Sequence, residues 1–389
     1  MKIFASFLVG FLVAVLGASS SQGDHVDDVI IAQMRERHIP GVALAVIQES
    51  RVIREQSYGL ADEEKKVPVT SSTLFQAASV SKPVAAMGAL HLVELRELSL
   101  DENVNAKLRR WRIPENRFTK NHPVTLRLIL SHSAGLTVDG FSGYPVGAPT
   151  PSLVQILDGR PPANSAPIRV DQIPGSRWSY SGGGFVVMQR MMIDVTGRSF
   201  ADYMDETVLK PLGMSSSTFR QSLPEIWERR AATGHTDAPR RAVDGRWRVH
   251  PELAAAGLWT TAGDLAQFLI GVQRSLAGTL NPVISQSMTR QMLTKQNGNS
   301  GLGFMLGGTP VRFGHNGDNV GFNAITIAFE TGEGAVILMN ANTDIEVLKN
   351  ILVEAIGEQY HWPGYPLSPE TPNQTLQPTA GRCTKKLEG

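Results

Sequence analysis

Residues 76–86 read QAASVSKPVAA, a run of small residues that holds a serine and, three positions later, a lysine. If Ser79 opens a helix, Lys82 lies one turn further along on the same face, with its ammonium group directed toward the serine hydroxyl. A Ser-x-x-Lys pair is expected about once by chance in a chain of this length and composition, so the pair alone does not identify a site. Whether Ser79 and Lys82 form a site therefore depends on the surrounding sequence.

The pair fits the chemistry of a nucleophilic serine. A free serine hydroxyl reacts slowly and needs a nearby base or a lowered pKa. A desolvated lysine can be that base, because burial disfavours its charged form. The helix N-terminus adds partial positive charge that favours an alkoxide, and Pro83 costs little in a first helical turn. Ser79 is therefore a candidate nucleophile and Lys82 a candidate proton acceptor.

Length and composition restrict the class of protein to which the chain can belong. The chain has 389 residues, 42% of them hydrophobic and 19% charged, which is typical of a globular protein with a sizeable core. Its net charge of +1 gives no electrostatic reason to expect a nucleic-acid partner. The single cysteine, Cys383, can form neither an intrachain disulfide nor a thiolate metal site.

Both ends of the chain differ from the middle. Residues 1–20 combine Lys2, an apolar run from Ile3 to Leu16 and small residues, which predicts a cleaved secretory signal peptide. The run is shorter than the roughly 20 residues that span a bilayer, so no stable membrane insertion is expected after cleavage. Residues 363–389 are rich in proline and threonine and predict a disordered tail. We expect an exported bacterial protein, periplasmic or secreted, whose folded domain covers residues 24–362.

Hydrophobic periodicity predicts the fold class. Strand patterns occupy both ends of the folded part, and helical patterns separated by Pro- and Gly-rich loops lie between them. This predicts an α+β fold, with an antiparallel sheet built from both termini, flanking helices and an inserted, mostly helical region. The sheet part would comprise about residues 24–78 and 297–362, and the helical part residues 79–296. A site between the two parts would be a natural cleft.

Several other chemistries lack their sequence signatures. The chain has no G-x-S-x-G, no phosphate-binding G-x-x-x-x-G-K, no H-E-x-x-H and no C-x-x-C. Its nine histidines show no metal-ligand spacing. Composition leaves open a serine with a histidine base, but no local arrangement supports it. We expect neither a metal nor an organic cofactor.

The flanking segments resemble a known family. TLFQAASVSK (73–82), VTLRLILSHSAGL (124–136), PGSRWSYSGGG (174–184), AAAGLWTTAGDLAQF (254–268) and FGHNGDNVGF (313–322) follow one another in the family's order. They are similar to class C β-lactamases, family VIII carboxylesterases and serine-type D-peptidases. The resemblance covers roughly residues 27 to 345 and implies the β-lactamase/transpeptidase-like fold.

The resemblance also implies roles for individual residues. Ser79 would be the acylated nucleophile and Lys82 its partner in proton transfer. Tyr180, which opens the family's Tyr-x-Asn element, would be base for the attack and acid for the leaving group. Which of Tyr180 and Lys82 takes the first proton stays open, because two coupled groups titrate as a pair.

A second set of roles concerns substrate binding. His315 and Gly317 align with the first and last residues of the family's Lys-Thr-Gly element on an edge strand. The backbone N–H groups of Ser79 and Asp318 would then form the oxyanion hole.

Two departures from the family pattern bear on the substrate. Gly182 stands where penicillin-recognising members have the asparagine that could hold an acylamino carbonyl, and His315 replaces a lysine. Neutral imidazole attracts a substrate carboxylate less than an ammonium group does. Both changes favour small-molecule esters or amides over β-lactams.

Short-chain carboxylic esters are the leading expectation. A D-amino-acid peptidase or amidase and a weak β-lactamase are the alternatives. A non-turnover acyl-binding protein is a remote one, since the chain retains Ser79, Lys82 and Tyr180 together. The sequence does not indicate an oligomeric state.

Overall fold

The computed structural model describes residues 24–236, 241–279 and 281–366. The predicted signal peptide, residues 1–20, and the predicted tail beyond residue 366 lie outside the described residues. Within those ranges, no helix combines the length and the apolar character that a membrane crossing would need.

A seven-stranded antiparallel sheet forms the centre of the described chain, in the order β3-β2-β1-β11-β10-β9-β8. The strands are β1 (Gly41–Gln48), β2 (Arg51–Asp62), β3 (Val67–Pro68), β4 (Phe75–Gln76), β5 (Tyr144–Pro145), β6 (Arg248–Val249), β7 (Trp259–Thr260), β8 (Met305–Gly307), β9 (Arg312–Asn319), β10 (Phe322–Phe329) and β11 (Gly334–Met339). In the middle of the sheet β1 pairs with β11, with Val42 opposite Met339. The two ends of the folded chain thus meet there, as the strand patterns predict.

Helices cover both faces of this sheet. They are α1 (His25–Glu36), α2 (Ser81–Glu94), α3 (Leu126–Leu130), α4 (Leu153–Asp158), α5 (Gly182–Thr196), α6 (Phe200–Met204), α7 (Glu225–Glu228), α8 (Leu253–Ala256), α9 (Ala262–Leu276), α10 (Gln286–Met292) and α11 (Ile345–Gln359). The terminal helices α1 and α11 pack together on one face, and α9 packs on the other. The predicted α+β class with an inserted helical region is confirmed.

The alternation of side chains along β1 separates two cores. Val42, Leu44 and Val46 point into the cluster beneath α1 and α11. Ala43, Ala45 and Ile47 point into the larger cluster, which continues into the helical region. Because a strand turns successive side chains to opposite faces, a strand covered on both faces is apolar throughout. This explains why GVALAVIQ shows no polar alternation.

Helix α2 connects the sheet to the helical region. Every residue from Ser81 to Leu90 is buried, which is typical of a helix that is apolar on all sides. A short 3-10 turn, Ala78–Val80, precedes it. The Ser81 hydroxyl donates to the Ala78 carbonyl at 2.6 Å and accepts from the Leu258 N–H at 3.0 Å. These two bonds fix the turn that carries Ser79.

Candidate active site

Ser79 and Lys82 are in direct contact at the start of α2. The Lys82 Nζ lies 2.8 Å from the Ser79 Oγ and 2.9 Å from the carbonyl oxygen of Ala255 in α8. Ala78, just before the serine, has a φ of 48°, a left-handed conformation that is costly for a residue with a Cβ. Such backbone strain clusters at functional sites. The predicted nucleophile therefore has a positioned amine beside it.

Burial controls the charge of Lys82. The side chain is 1% exposed, and this desolvation lowers its pKa from 10.5 to about 7. The Asp139 carboxylate acts in the opposite direction and favours the ammonium form. The amine therefore divides between its neutral and charged forms near neutral pH, as a general base must.

Tyr180 lies against this lysine. The Lys82 Nζ is 5.0 Å from the centre of the Tyr180 ring. Burial raises the pKa of the Tyr180 hydroxyl, and the interaction with the Ser79 hydroxyl only partly offsets this. No described group completes a hydrogen bond of normal geometry with this buried hydroxyl. At neutral pH Tyr180 is thus a protonated phenol that can donate to an incoming group.

His132 holds the other side of the Tyr180 ring. The two rings stack with their centres 4.3 Å apart. The His132 Nδ1 accepts the Ser181 N–H at 3.1 Å, so the neutral imidazole carries its proton on Nε2. Burial, together with the charge of Lys82, lowers the pKa of His132 well below its ordinary value. His132 is therefore a neutral support for Tyr180.

His315 reaches the same cluster from β9. Its ring centre lies 5.9 Å from that of Tyr180, and its side chain is buried. The Nδ1 is 2.5 Å from the Asn316 carbonyl, which places the ring proton on Nδ1. Burial, reinforced by Lys82, lowers the pKa of His315 to about 3. The imidazole is thus neutral at physiological pH.

Strand β9, predicted as an edge strand, is an edge of the sheet over only part of its length. Strand β8 covers β9 over Arg312–Gly314 only. From His315 to Asn319, β9 pairs with β10, and among the described residues no strand pairs with its other side. Within the described part of the chain, the segment predicted to bind substrate is therefore an edge of the sheet, whereas Arg312–Gly314 is covered by β8.

Gly317 lets β9 approach the nucleophile closely. A Cβ there would lie 2.3 Å from the Ala77 carbonyl oxygen and 3.1 Å from the Ser79 nitrogen. Only glycine fits such a contact. The Asp318 side chain points to solvent and accepts from the amides of Asn323 at 3.1 Å and Asn342 at 2.5 Å. The strand predicted to supply the second oxyanion-hole N–H thus packs on the Ser79 turn.

Gly182 is buried against the loop that contains Asp139 and Phe141. It begins α5, and its N–H donates to the Asp139 carbonyl at 3.1 Å. A Cβ at Gly182 would lie 2.8 Å from that oxygen and 3.1 Å from the Phe141 ring. A loop therefore fills the space that an asparagine side chain would need. The role of Gly182 in substrate binding stays a prediction.

Three contributors to the site were not predicted from the sequence. Asp139 lies in a Pro- and Gly-rich stretch without periodicity, and Ala255 contributes only its backbone carbonyl. His132 stands in the family-like segment SHSAGL, but nothing in that segment indicated that it contacts Tyr180. Over the part of the chain that the structure describes, no group of three or more His, Cys, Asp or Glu side chains could hold a metal ion.

The family follows from comparison with known proteins. The model of the family described as Beta-lactamase matches residues 26–357. The chain therefore belongs to the beta-lactamase family of serine hydrolases, as the sequence motifs indicate.

Curated relatives match part of the chain. Esterase EstB of Burkholderia gladioli is 31% identical over 219 residues, which is 53% of this chain and 54% of EstB. Protein flp of Staphylococcus aureus is 24% identical over 200 residues, which is 51% of this chain and 38% of flp. The chain thus spans about half of EstB and less of flp.

Solved structures share the fold over most of the chain. D-alanine carboxypeptidase AmpC from Burkholderia cenocepacia superposes with a TM-score of 0.69 at 20% identity, over 86% of this chain and 98% of that one. A class C beta-lactamase gives 0.67 at 23% identity, over 86% and 94%. The predicted β-lactamase/transpeptidase-like fold is confirmed.

Proposed function

We propose that this protein is an exported serine hydrolase that forms a covalent acyl-Ser79 intermediate, most readily from short-chain carboxylic esters. The observation that carries the proposal is the 2.8 Å contact between the Ser79 Oγ and a buried lysine whose pKa is about 7. An amine of this kind takes a proton from serine at neutral pH without a histidine base.

The geometry supports a division of labour between Lys82 and Tyr180. Neutral Lys82 takes the hydroxyl proton while the Ser79 Oγ bonds to the ester carbonyl carbon. The backbone N–H groups of Ser79 and Asp318 stabilise the oxyanion. The ester C–O bond then breaks, Tyr180 protonates the departing alkoxide, and Lys82 returns a proton to Tyr180. Water hydrolyses the acyl-serine with the same groups in reverse.

The preference for neutral esters rests on the state of His315. A neutral imidazole whose Nδ1 proton is already bound to Asn316 offers no fixed positive charge to a β-lactam carboxylate. The Asn316 amide donates to Glu346 at 2.7 Å. A missing charged contact of this kind weakens binding by roughly ten- to a hundred-fold. A short neutral ester does not need that contact.

The test is a comparison of initial rates on p-nitrophenyl butyrate and nitrocefin, with Ser79→Ala as the control. Ester hydrolysis with little nitrocefin hydrolysis, both lost in the variant, would support the proposal. Rapid nitrocefin hydrolysis would instead make the protein a β-lactamase. Turnover of D-amino-acid amides alone would favour the peptidase alternative, and acylation without release would favour the acyl-binding protein.

Export remains a proposal on the residues that precede the described domain. Its support is the Lys2 and Ile3–Leu16 pattern of the sequence. N-terminal sequencing of the protein recovered from periplasm or medium should give a start near residue 21. Recovery of the unprocessed chain from the cytoplasm would contradict export.

A further inference from the structure

Asn319 is the last residue of β9 and follows Asp318, whose N–H is the predicted second donor of the oxyanion hole. Asn319 is 4% exposed, and its side-chain amide donates to the Gln76 Oε1 at 3.0 Å and to the Ala256 carbonyl at 3.2 Å. A side-chain amide has two N–H hydrogens, so both are used. One buried side chain thus joins the end of β9 to strand β4 and to helix α8.

The bond to α8 reaches the support of the candidate base. Ala256 follows Ala255, whose carbonyl accepts from the Lys82 Nζ at 2.9 Å. Helix α8 has only four residues, so these two neighbouring carbonyls belong to one short turn. The Asn319 amide therefore holds the turn whose carbonyl binds Lys82.

The bond to β4 reaches the nucleophile. Gln76 is 2% exposed and ends β4, three residues before Ser79. The Gln76 Nε2 donates to the Arg248 carbonyl at 2.7 Å, so the Oε1 is the atom that faces Asn319. Hydrogen bonds hold both ends of this amide. A shift of the chain that leads into Ser79 therefore strains one of them.

Two constraints act on the distance between β9 and the nucleophile. Gly317 allows a close approach, since a Cβ there would lie 2.3 Å from the Ala77 carbonyl oxygen. The Asn319 bonds act in the opposite sense, because a β9 that moves away from the Ser79 turn stretches them. Steric contact thus limits how near the Asp318 N–H comes to Ser79, and hydrogen bonds limit how far it recedes.

We propose that Asn319, with Gln76 as its partner, is a positioning residue that holds the oxyanion-hole strand, the Ser79 turn and the support of Lys82 in one arrangement. It is buried and acts through these groups rather than on the substrate. A displacement of about 1 Å in an active site can lower the rate about a hundredfold. The inference rests on the proposed function, because it concerns the same reaction at Ser79.

The test compares two buried amides that each donate to two acceptors. Asn319→Leu removes both bonds and keeps a side chain of similar size. Gln273→Met is the matched control, because Gln273 is 1% exposed and its amide donates to the carbonyls of Phe329 at 2.9 Å and Glu333 at 2.8 Å. Phe329 lies about 23 Å along β10 from Phe322, the partner of Asn319. The control thus perturbs the same sheet away from the site.

Two measurements report on the arrangement of the site, and urea unfolding reports on the fold. The first is kcat/KM for p-nitrophenyl butyrate. The second is the Kd of phenylboronic acid, from titration calorimetry on the full chain. The boron forms a bond with the Ser79 Oγ, the hydroxyl proton passes to neutral Lys82, and a tetrahedral boronate results. This adduct resembles the transition state and needs no turnover.

The expected result is a loss of function that stability does not explain. Asn319→Leu should lower kcat/KM about ten- to a hundredfold and raise the Kd of phenylboronic acid by a similar factor. Gln273→Met should lower the urea midpoint and change neither kcat/KM nor Kd. Equal changes in kcat/KM for the two variants would overturn the inference, as would wild-type kcat/KM and Kd in Asn319→Leu.

Gln76→Met tests the same bond from its acceptor side and decides the question if Asn319→Leu does not fold. It should lower kcat/KM and weaken boronate binding, whereas wild-type values would overturn the inference. In the double variant the loss should be smaller than the product of the two single losses, because both changes remove one shared bond. Losses that multiply fully would show that the two side chains act independently, contrary to the inference.

Failure of the proposed function gives a different pattern. If the wild type binds phenylboronic acid but does not hydrolyse p-nitrophenyl butyrate, the esterase proposal fails and the boronate Kd values alone decide the positioning role. If the ester is hydrolysed and Asn319→Leu behaves like Gln273→Met, only the positioning inference fails. If the wild type does neither, both fail.

Discussion

The chemistry of Lys82 depends on what surrounds it rather than on the residue type. Its Nζ has two oxygen partners, the Ser79 Oγ and the Ala255 carbonyl, and it lies over the faces of Tyr180 and Phe185. Aromatic faces and a carbonyl stabilise an ammonium only in part, so desolvation prevails and the pKa falls to about 7. The same residue on the surface would be charged and could not accept a proton.

The pH dependence of ester hydrolysis should therefore follow Lys82. We expect kcat/KM for a neutral ester to rise about tenfold per pH unit below pH 7 and to level off above it, because only the neutral amine accepts the serine proton. The measurement is a pH profile of initial rates on p-nitrophenyl butyrate. A rate that falls as pH rises through 7 would contradict this role.

Replacement of Lys82 by arginine separates basicity from charge. A guanidinium group keeps the positive charge but does not lose its proton in proteins. Lys82→Arg should lower kcat by about a hundred- to ten-thousand-fold at every pH, as is typical when a general base is lost. If the variant keeps its activity, the lysine acts only through its charge.

The residues of the candidate site could be picked out from the sequence, and their environment could not. Ser79, Lys82, Tyr180 and His315 lie in short segments that resemble the family, and the structure brings these four together. The neutral state of His315 depends on burial and on the nearby charge of Lys82, and the Asn316 carbonyl fixes the ring proton on Nδ1. Contacts of this kind depend on tertiary packing, which local residue patterns do not encode.

At the scale of elements, two of the three glycines at the N-terminus of α5, Gly182 and Gly183, let the 137–141 loop pack against that helix. A Cβ at Gly183 would lie 2.3 Å from the Thr137 carbonyl oxygen. At Gly184 its nearest neighbour would be the Ile129 Cγ2 at 3.5 Å, an ordinary contact. Of these two adjacent glycines, Gly183 has no room for a side chain and Gly184 has room for a methyl group.

This contrast predicts opposite effects of two alanine substitutions. Gly183→Ala should destabilise the fold by about 1–3 kcal/mol, because a backbone carbonyl must move. Gly184→Ala should be neutral or stabilise by up to about 1 kcal/mol, because alanine favours the helix. Thermal unfolding of both variants and their ester activity are the measurements. Equal stability of the two would show that the loop yields freely.

The Gln189 side chain of α5 forms hydrogen bonds at the start of helix α8. The Gln189 amide donates to the Pro251 carbonyl at 3.1 Å and accepts the Ala254 N–H at 3.0 Å. The next residue, Ala255, supplies the carbonyl that binds Lys82. Gln189 therefore positions the lysine through α8.

Removal of this bridge should lower both stability and activity. Gln189→Met leaves the buried Ala254 N–H and the part-buried Pro251 carbonyl without their partner, at a cost of about 2–4 kcal/mol. We expect kcat to fall as well, because the Ala255 carbonyl shifts. Gln267→Met, on the exposed side of α9, is the matched control and should change stability by less than about 0.5 kcal/mol. The measurements are urea unfolding and ester turnover. Equal unfolding free energies for the two variants would contradict the role of Gln189.

The long buried helices and strands can be predicted from the sequence, and the shortest strands cannot. The buried strands β1, β10 and β11 and the helices α2, α9 and α11 show strong apolar patterns, because each packs against a core. The two-residue strands β5 and β6 pair with each other only where the chain returns after about 100 residues. No local pattern signals such a pairing.

For the whole molecule, the interior behind the site contains an ionisable group that the proposed reaction does not use. Glu252 is fully buried at the start of α8, beside the Tyr144 hydroxyl. Desolvation raises the pKa of Glu252 from 4.5 to about 8. The folded protein thus holds a neutral carboxylic acid at pH 7, where the unfolded chain has a carboxylate.

This difference links the stability of the whole fold to pH. Between about pH 4.5 and pH 8 the folded state keeps the Glu252 proton and the unfolded state has lost it, so the contribution of Glu252 to stability falls as pH rises. The decline is at most about 1.4 kcal/mol per pH unit and ends above the folded-state pKa. Below pH 4.5 both states are protonated and the contribution is constant.

Glu252→Gln removes this titration and keeps a neutral side chain of similar shape. We expect the free energy of unfolding of the variant to rise relative to wild type as pH increases from 4.5 to 8, and the difference to be constant on either side of that window. Urea unfolding at one-unit intervals from pH 4 to pH 9 measures it. Parallel curves for the two proteins would mean that Glu252 ionises normally in the folded state. A change in the difference that is confined to pH 4.5–8 would show that the fold retains this proton at the expense of its own stability near neutral pH.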